Sequence, residues 1–255
     1  MTTTNTGRVR PPQMLALLDP TIQRELDRLE IRPGQRVLEV GAGIGETTAR
    51  LARLVGPNGK VAAVDIDNSL LGPTNVIDVY PRNLDGDELP GDPGTFDLAV
   101  ARWPHGTVPD PADVIRQMID RLRPGGWLIL ADLPWNPIRV YYPQSEATAL
   151  IEQALHWVYG FLGGPGTRST WPKDITGLLV ANGLNPVCVH QNVETWTGGG
   201  PGCGILIAAI EHLRPELLDH GLSPTDIDQV AALLHDPSVV LGSLEHRAVH
   251  ARKPL

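Results

Sequence analysis

"VLEVGAGIGETTARLA", residues 37–52, joins an apolar run to a segment of helical periodicity through three glycines at alternate positions. Glycine has no Cβ and tolerates positive φ, so such a turn lets the backbone approach a nucleotide-like ligand at a helix N-terminus. The dinucleotide fingerprint requires glycine or alanine at its sixth position, which is Glu46 here. Asp65 ends the following apolar run, and its carboxylate can accept hydrogen bonds from both hydroxyls of a ribose. The stretch predicts a cofactor turn, and Asp65 suits either a dinucleotide or another adenosine cofactor.

Apolar strands alternate with amphipathic helices along most of the chain. The predicted strands are RVLEV (36–40), KVAAVD (60–65), NVIDVY (75–80), FDLAVA (96–101), WLILAD (127–132), NPVCVHQNV (185–193) and SLEHRAVHA (243–251). The predicted helices are 19–29, 46–55, 110–122, 145–162, 173–182, 203–219 and 223–236, with a short one near NSLL (68–71). This order predicts a parallel, doubly wound α/β sheet.

Composition indicates a soluble globular protein. Of its 255 residues, 42% are hydrophobic and 20% charged, and a net charge of −8 without a basic stripe argues against nucleic-acid binding. Two cysteines, Cys188 and Cys203, favour a reducing compartment, and no His, Cys and carboxylate grouping has metal-ligand spacing along the sequence. The first residues lack the apolar core of a signal peptide, and the longest apolar run, 205–210, is too short to cross a bilayer.

These features lead to several expectations about the whole chain. We expect a cytoplasmic protein that forms a single domain over residues 1–255, with a flexible segment at about 1–10. We expect no membrane partner, no nucleic-acid partner and no bound metal. The oligomeric state stays open, a homodimer being one alternative.

The segments VLEVGAGIG, VAAVDID, FDLAVAR and LRPGGWLILAD stand in the order and spacing of the class I methyltransferases that use S-adenosylmethionine. This resemblance covers roughly residues 12–133 and is most specific as a set. The chain looks most like small-molecule methyltransferases of actinobacteria, whose C-terminal third is similar in outline to ELLDHGLSPTDIDQVAALLHDPSVV (216–240). The resemblance implies a Rossmann-like fold: a seven-stranded, mostly parallel sheet with an antiparallel last strand and helices on both faces. It also implies substrate-covering helical segments at 134–182 and 197–236.

The resemblance also implies a set of cofactor-binding positions. A loop from Glu39 to Gly45 would pass under the ribose and the methionine portion, Asp65 would bind both ribose hydroxyls, and Ile66 would pack on the adenine. Asn83 stands where the family commonly has an aspartate that contacts the adenine amine, with Asp85 as the alternative if the register is shifted by two. The full set is Glu39, Gly41, Ala42, Gly43, Gly45, Asp65, Ile66, Asn83, Leu84, Arg102 and Trp103. The last two resemble residues beside the methionine tail and the methyl group.

Catalytic and acceptor-binding residues follow from the same resemblance. Many relatives carry a histidine pair after the fourth strand, where this chain has Gly106 and Thr107, so His105 becomes the candidate general base. The alternative is a loop histidine with only a local hydrogen bond. Candidate substrate-binding residues are Trp135, Tyr141, His156, Trp157 and Arg168, with Tyr142 and Tyr159 in the same segment. Aromatic residues at helical spacing are also typical of a protein core.

The interpretation is an S-adenosylmethionine-dependent methyltransferase that modifies oxygen, nitrogen or carbon of a small metabolite in natural-product biosynthesis. Three alternatives remain at this point. The first is an enzyme of the same fold that catalyses a cyclisation or rearrangement with S-adenosylmethionine as a non-reacting cofactor. The second is a nicotinamide-dependent oxidoreductase, which Glu46 disfavours, and the third is a non-catalytic binding module, which the intact glycine turn disfavours.

Overall fold

The structure is a computed structural model of the chain. It describes residues 21–67, 69–102, 110–132, 138–144, 146–163, 171–185 and 187–255. The strands are β1 (Arg36–Val40), β2 (Lys60–Asp65), β3 (Ile77–Pro81), β4 (Phe96–Arg102), β5 (Leu122–Asp132), β6 (Val140–Tyr142), β7 (Val187–Asn192), β8 (Thr195–Thr197), β9 (Val240–Gly242) and β10 (His246–Arg252). The helices are α1 (21–28), α2 (Glu46–Val55), α3 (Pro111–Arg121), α4 (Glu146–Gly163), α5 (Trp171–Ala181), α6 (Pro201–His212), α7 (Arg214–Asp219) and α8 (Pro224–His235).

Seven strands form the main sheet in the order β3-β2-β1-β4-β5-β10-β7. The pairs from β3 through β5 are parallel, and β10 runs antiparallel to both of its neighbours, as predicted. The strand order reverses between β1 and β4, and the register aligns Val40 with Val64 on one side and Ala101 on the other. In open α/β sheets, ligands bind at the carboxyl edge beside such a reversal. The turn that follows β1 lies at this edge.

Two apolar clusters cover the two faces of the main sheet. Helices α1 and α2 pack on one face through Ile22, Leu26 and Leu51, and α3 and α5 pack on the other through residues such as Ile115 and Leu179. A local signal fixes where α3 begins. The Asp110 carboxylate accepts a hydrogen bond from the Asp113 amide at 3.0 Å just before Pro111, which satisfies one of the free amides of the first turn.

A third apolar cluster lies apart from the main sheet. It contains buried side chains of α4, α6, α7 and α8 together with those of a small antiparallel sheet, β6-β9-β8. This small sheet was not predicted, because three-residue strands carry no periodic signal. Helix α5 falls within the predicted covering segment 134–182, but its Ile175 and Leu179 pack on the main sheet instead.

Two other predictions about local structure were wrong. The helix predicted over 203–219 is two helices, because Pro215 has no amide hydrogen and its ring clashes with the preceding turn; α6 ends at His212 and α7 begins at Arg214. The short helix predicted near 68–71 is a turn at residues 69–70. In the described part of the chain, no helix is both long enough and apolar enough to span a membrane.

Candidate functional site

The glycine turn between β1 and α2 is held against the sheet by its own backbone. The amides of Gly41 and Ala42 both donate to the Val64 carbonyl, at 2.9 and 3.1 Å. Gly41 has φ +81°, and a Cβ there would lie 2.9 Å from the backbone oxygen of Arg102, so glycine is required by both conformation and space. The turn therefore runs close over the ends of β2 and β4 with a fixed path.

Gly43 and Gly45 shape the outer side of this turn. Gly43 has φ +56°, and a Cβ there would meet no heavy atom of the described residues within 4 Å. Gly45 has φ +86° and is the N-cap of α2, so the amide ends of the first helical turn lie at this edge of the sheet. A Cβ at Gly45 would lie 2.3 Å from the Leu71 side chain, which brings the segment after β2 against the turn.

Asp65 links the end of β2 to the glycine turn. Its Oδ2 accepts a hydrogen bond from the Gly43 amide at 2.8 Å, and its Oδ1 accepts one from the Asp67 amide at 3.2 Å. A carboxylate accepts hydrogen bonds at both of its oxygens, and these contacts hold that of Asp65 at the end of β2, directly beside the glycine turn. Hydrogen bonds from Ser69 lower the pKa of Asp67 below its usual value, which keeps a second carboxylate ionised beside Asp65.

Large apolar side chains are exposed to solvent on both sides of Asp65. Ile66 is 61% exposed and Leu70 is 71% exposed, while Ile44 in the glycine turn is 37% exposed. Leaving such groups in water costs roughly 25 cal/mol per Å² relative to burying them, so an apolar ring system bound here is stabilised. The sequence identified Ile66 but missed Ile44 and Leu70, because sequence pattern alone does not tell which apolar residues stay exposed.

Glu39 and Arg102 are a buried carboxyl group and a buried cation near the carboxyl edge of the main sheet. Glu39 on β1 is 3% exposed, and Arg102, the last residue of β4, is 9% exposed. Charged side chains are almost never this buried without a charged or hydrogen-bonded counterpart. The two residues lie on neighbouring strands, next to the glycine turn that Arg102 also contacts through its backbone.

Asn83 begins a tight turn after β3. Its side-chain Oδ1 accepts a hydrogen bond from the backbone amide of Asp85 at 3.1 Å, and its backbone amide donates one to Asp87 Oδ2 at 2.8 Å. The predicted acceptor for an adenine amine is thus already used once within its own turn, and a second lone pair remains on the oxygen. Leu84 in the same turn packs partly against the core of the main sheet.

The residues of this edge fit an adenosine cofactor such as S-adenosylmethionine. Within the described part of the chain, no heavy atom lies within 4 Å of a Cβ placed on Gly43, the Asp65 carboxylate is hydrogen-bonded to the turn, and exposed apolar side chains lie nearby. In such an arrangement the turn would support the ribose and the amino-acid tail, and Ile66 would pack on the base.

The predicted acceptor-binding residues that the structure describes lie in or near the third apolar cluster. Tyr141 in β6 is 45% exposed, and His156 on α4 is exposed. Trp157 packs against the cluster, and its ring centroid lies 4.7 Å from that of His220, the C-cap residue of α7. The role of these side chains in acceptor binding stays a prediction. Four further predicted residues, Trp103, His105, Trp135 and Arg168, lie outside the described residues.

Comparison with known proteins identifies a family. The sequence model described as "Methyltransferase domain" matches residues 13–189. The ubiquinone/menaquinone biosynthesis C-methyltransferase UbiE of Ectopseudomonas mendocina (strain ymp) is 33% identical over 118 residues, which cover 42% of this chain and 46% of that protein. An uncharacterised 37.1 kDa protein in transposon TN4556 of Streptomyces fradiae is 30% identical over 128 residues, which cover 48% of this chain and 37% of that protein. The alignments thus span less than half of these relatives.

Solved structures share the fold. A putative methyltransferase from Bacillus halodurans superposes with a TM-score of 0.56 and 19% identity, covering 94% of this chain and all of that one. The Haemonchus contortus phosphoethanolamine N-methyltransferase 2 in complex with S-adenosyl-L-methionine gives a TM-score of 0.53 and 15% identity, covering 93% and 53%. The [4+2]-cyclase SpnF superposes with a TM-score of 0.51 and 18% identity, and the match covers 98% of this chain and 85% of that one.

Proposed function

The chain belongs to the methyltransferase domain family, and from this premise we propose that it binds S-adenosylmethionine and transfers the methyl group to a small molecule. The observation that carries the proposal is the glycine turn tied to Asp65 through the Gly43 amide, with open space above Gly43. The similarity to ubiquinone/menaquinone biosynthesis C-methyltransferases and to a protein of Streptomyces fradiae supports a small acceptor molecule from specialised metabolism. We place this activity in the cytoplasm.

S-adenosylmethionine supplies an electrophilic methyl group when it is bound. In our proposal Asp65 accepts hydrogen bonds from the ribose hydroxyls, and Asn83 accepts one from the adenine amine. Glu39, Gly41, Ala42 and Arg102 hold the amino-acid tail, with Gly45 and Leu84 completing the cofactor site. Holding an acceptor in line with the methyl carbon can supply much of the rate, because well-oriented groups react as if at very high concentration.

The acceptor would bind between the carboxyl edge of the main sheet and the segments that follow β5. We propose that residues 134–182 and 197–236 provide the helices that cover it, apart from α5, which packs on the main sheet. Tyr141, His156 and Trp157 are the described candidates for acceptor contacts, together with Trp135 and Arg168. Trp103 would lie beside the methyl group, and His105 would remove a proton from an acceptor that arrives protonated.

Calorimetry and isotope transfer test the two parts of this proposal separately. We expect S-adenosylmethionine and S-adenosylhomocysteine to bind with one site per chain, and NAD to bind far more weakly. Tighter binding of NAD would contradict the cofactor assignment. The protein is then incubated with methyl-labelled S-adenosylmethionine and a panel of phenols, quinols and amines.

Label in a product must be matched by an equal amount of S-adenosylhomocysteine. An unlabelled isomer, formed equally well with S-adenosylhomocysteine, would refute methyl transfer and favour the cyclisation alternative. The cyclase fold neighbour gives that alternative no weight beyond shared architecture.

A further inference from the structure

Three side chains whose atoms can ligate a metal ion converge where α1 packs on β10 and β7, the last two strands in the order of the main sheet. Glu25 of α1 lies with Oε1 2.9 Å from His190 Nδ1 of β7 and Oε2 2.8 Å from His250 Nδ1 of β10. All three donor atoms lie within 4.8 Å of one another. We call Glu25, His190 and His250 the Glu-His-His cluster.

This cluster is separate from the cofactor edge. Strands β4 and β5 stand between β1, which leads into the glycine turn, and β10, which carries His250. His250 is paired with Ile129 in the middle of β5 rather than with a residue at the carboxyl end of that strand. Neither the glycine turn nor the segment around Asn83 contributes to it.

The cluster combines a buried anchor with access from solvent. The Glu25 side chain is 1% exposed, whereas that of His190 is 38% exposed. A cavity of ≈ 330 Å³ opens beside them and is lined by further polar residues, among them Thr21, Arg24, Asn192 and His246. Its size exceeds what one water molecule needs, so solvent can reach Glu25 and His190, which line it, and a water can supply a further ligand.

The rival explanation is an internal ion-pair network. Arg28 forms a salt bridge to Glu25 Oε1 through Nη1, which also lies 3.5 Å from His190 Nδ1. A single arginine is sufficient to balance a single carboxylate, so this pairing leaves two imidazoles from different strands unexplained. The Arg28 side chain is 46% exposed and can turn into solvent without a large desolvation cost. The Arg28 guanidinium therefore occupies the place beside the Glu25 carboxylate that a divalent cation can take.

The distances suit a small transition-metal ion after a modest adjustment. Zinc binds histidine nitrogen at about 2.0–2.1 Å and carboxylate oxygen at about 2.0–2.2 Å, which places ligand atoms of a tetrahedral site about 3.4 Å apart. The two nitrogen–oxygen distances, which run to the two different oxygens of the Glu25 carboxylate, would each need to open by about 0.5 Å as both imidazoles turn toward a shared ion. Two histidines and one glutamate, with a water as fourth ligand, are an established donor set for zinc.

We propose that the Glu-His-His cluster binds one divalent transition-metal ion of the zinc class, which replaces Arg28 beside Glu25. The ion would connect α1 to β7 and β10, which are far apart along the chain. An ion that binds only the folded chain raises its stability in proportion to the logarithm of the free ion concentration.

Zinc titration of chelator-stripped protein without a histidine tag is the direct test. We expect one Zn²⁺ per chain by calorimetry, a rise in Tm with added zinc, and d–d absorption of low-symmetry Co²⁺ when cobalt replaces it. His190→Gln and His250→Gln should each weaken zinc binding by at least about 100-fold. Loss of a residue that only hydrogen-bonds to a metal ligand already lowers metal affinity about 10- to 100-fold, and loss of a ligand should cost more. Arg28→Gln should strengthen it, because the competing cation is gone.

His246→Gln is the matched control. His246 lies on β10 beside the same cavity, but its Nδ1 pairs with Thr21 Oγ1 at 3.2 Å and not with Glu25. We expect this variant to keep the zinc affinity of the unmodified chain. Circular dichroism confirms that each variant is folded, and His190→Gln, at a partly exposed position, is the variant least able to disturb folding.

Three results would overturn the proposal. The first is the absence of stoichiometric zinc binding to the unmodified chain. The second is equal zinc affinity in His190→Gln and the unmodified chain, which would indicate adventitious binding elsewhere. The third is weaker zinc binding in Arg28→Gln, which would mean that Arg28 supports the cluster and is not displaced. None of these measurements depends on S-adenosylmethionine, so the proposed function stands or falls independently.

Discussion

Substitution of Gly43 by alanine separates the stability of the glycine turn from its role in cofactor binding. Gly43 has φ +56°, which alanine can adopt at a cost of about 1–2 kcal/mol, and in the part of the chain that the structure describes a Cβ there meets no heavy atom within 4 Å. Gly34, in the turn between α1 and β1, provides a matched control with φ +89° and equally open surroundings. Both substitutions impose backbone strain, but only Gly43 faces the proposed cofactor.

The expected magnitudes follow from these surroundings. Each variant should lose about 1–2 kcal/mol of unfolding free energy, which corresponds to a decrease in Tm of about 2–8 °C for a chain of this size. In Gly43→Ala the added methyl group would also press on the bound cofactor. Overpacking of this kind costs about 1–3 kcal/mol, so the Kd for S-adenosylhomocysteine should rise about 5- to 150-fold.

Thermal unfolding followed by circular dichroism and calorimetry with S-adenosylhomocysteine measure the two effects. We expect similar decreases in Tm for the two variants and weakened binding only for Gly43→Ala. If Gly43→Ala binds S-adenosylhomocysteine as tightly as the unmodified chain, the cofactor does not lie over this turn. If Gly34→Ala loses the same affinity, general loosening of the fold explains the effect and the reasoning from local geometry fails.

Four further outcomes are expected. Asp65→Ala should weaken S-adenosylhomocysteine binding by about 1.5–3 kcal/mol in calorimetry, because a hydrogen-bonded carboxylate is lost; unchanged affinity would contradict the ribose assignment. Asn83→Asp should preserve affinity and Asn83→Leu should cost about 1–3 kcal/mol, whereas damage from Asp85→Leu alone would transfer the adenine contact to Asp85. His105→Ala should lower turnover about 10²- to 10⁴-fold at unchanged cofactor affinity, and normal turnover would remove it from the mechanism. Burial lowers the pKa of His246 from 6.5, so unfolding takes up a proton below that pH; urea titrations should show stability falling as the solution is acidified through this range, with a smaller fall in His246→Gln.

The main sheet was predictable because its strands and helices are long enough to show their periods. Residues 46–55 and 60–65 were predicted with the bounds that the structure gives, and the antiparallel last strand was expected from the family resemblance. Glycines at alternate positions also located the turn at the carboxyl edge, because positive φ at such sites excludes most other residues.

Other features depend on contacts that no local pattern encodes. The small sheet consists of three-residue strands, such as TWT at 195–197, and is defined only by its pairing. Glu25 and His250 stand 225 positions apart, so their proximity follows from the packing of α1 on β10 rather than from spacing along the chain. Asp87 accepts a hydrogen bond from the Asn83 backbone amide, but nothing in the sequence distinguishes it from the other acidic residues of its loop.

The position of β10 constrains the order in which the chain can acquire its structure. This strand lies between β5 and β7, yet it is made of residues 246–252, so β7 has no partner in the main sheet until those residues leave the ribosome. At typical synthesis rates of about 5–20 residues per second, the 53 residues between Asn192 and His246 take roughly 3 to 11 seconds to appear. During that interval both edges of the gap expose unpaired backbone, which is the feature that promotes association between chains. Conditions that slow translation of this region should therefore lower the yield of folded protein more than slowing within the first 132 residues.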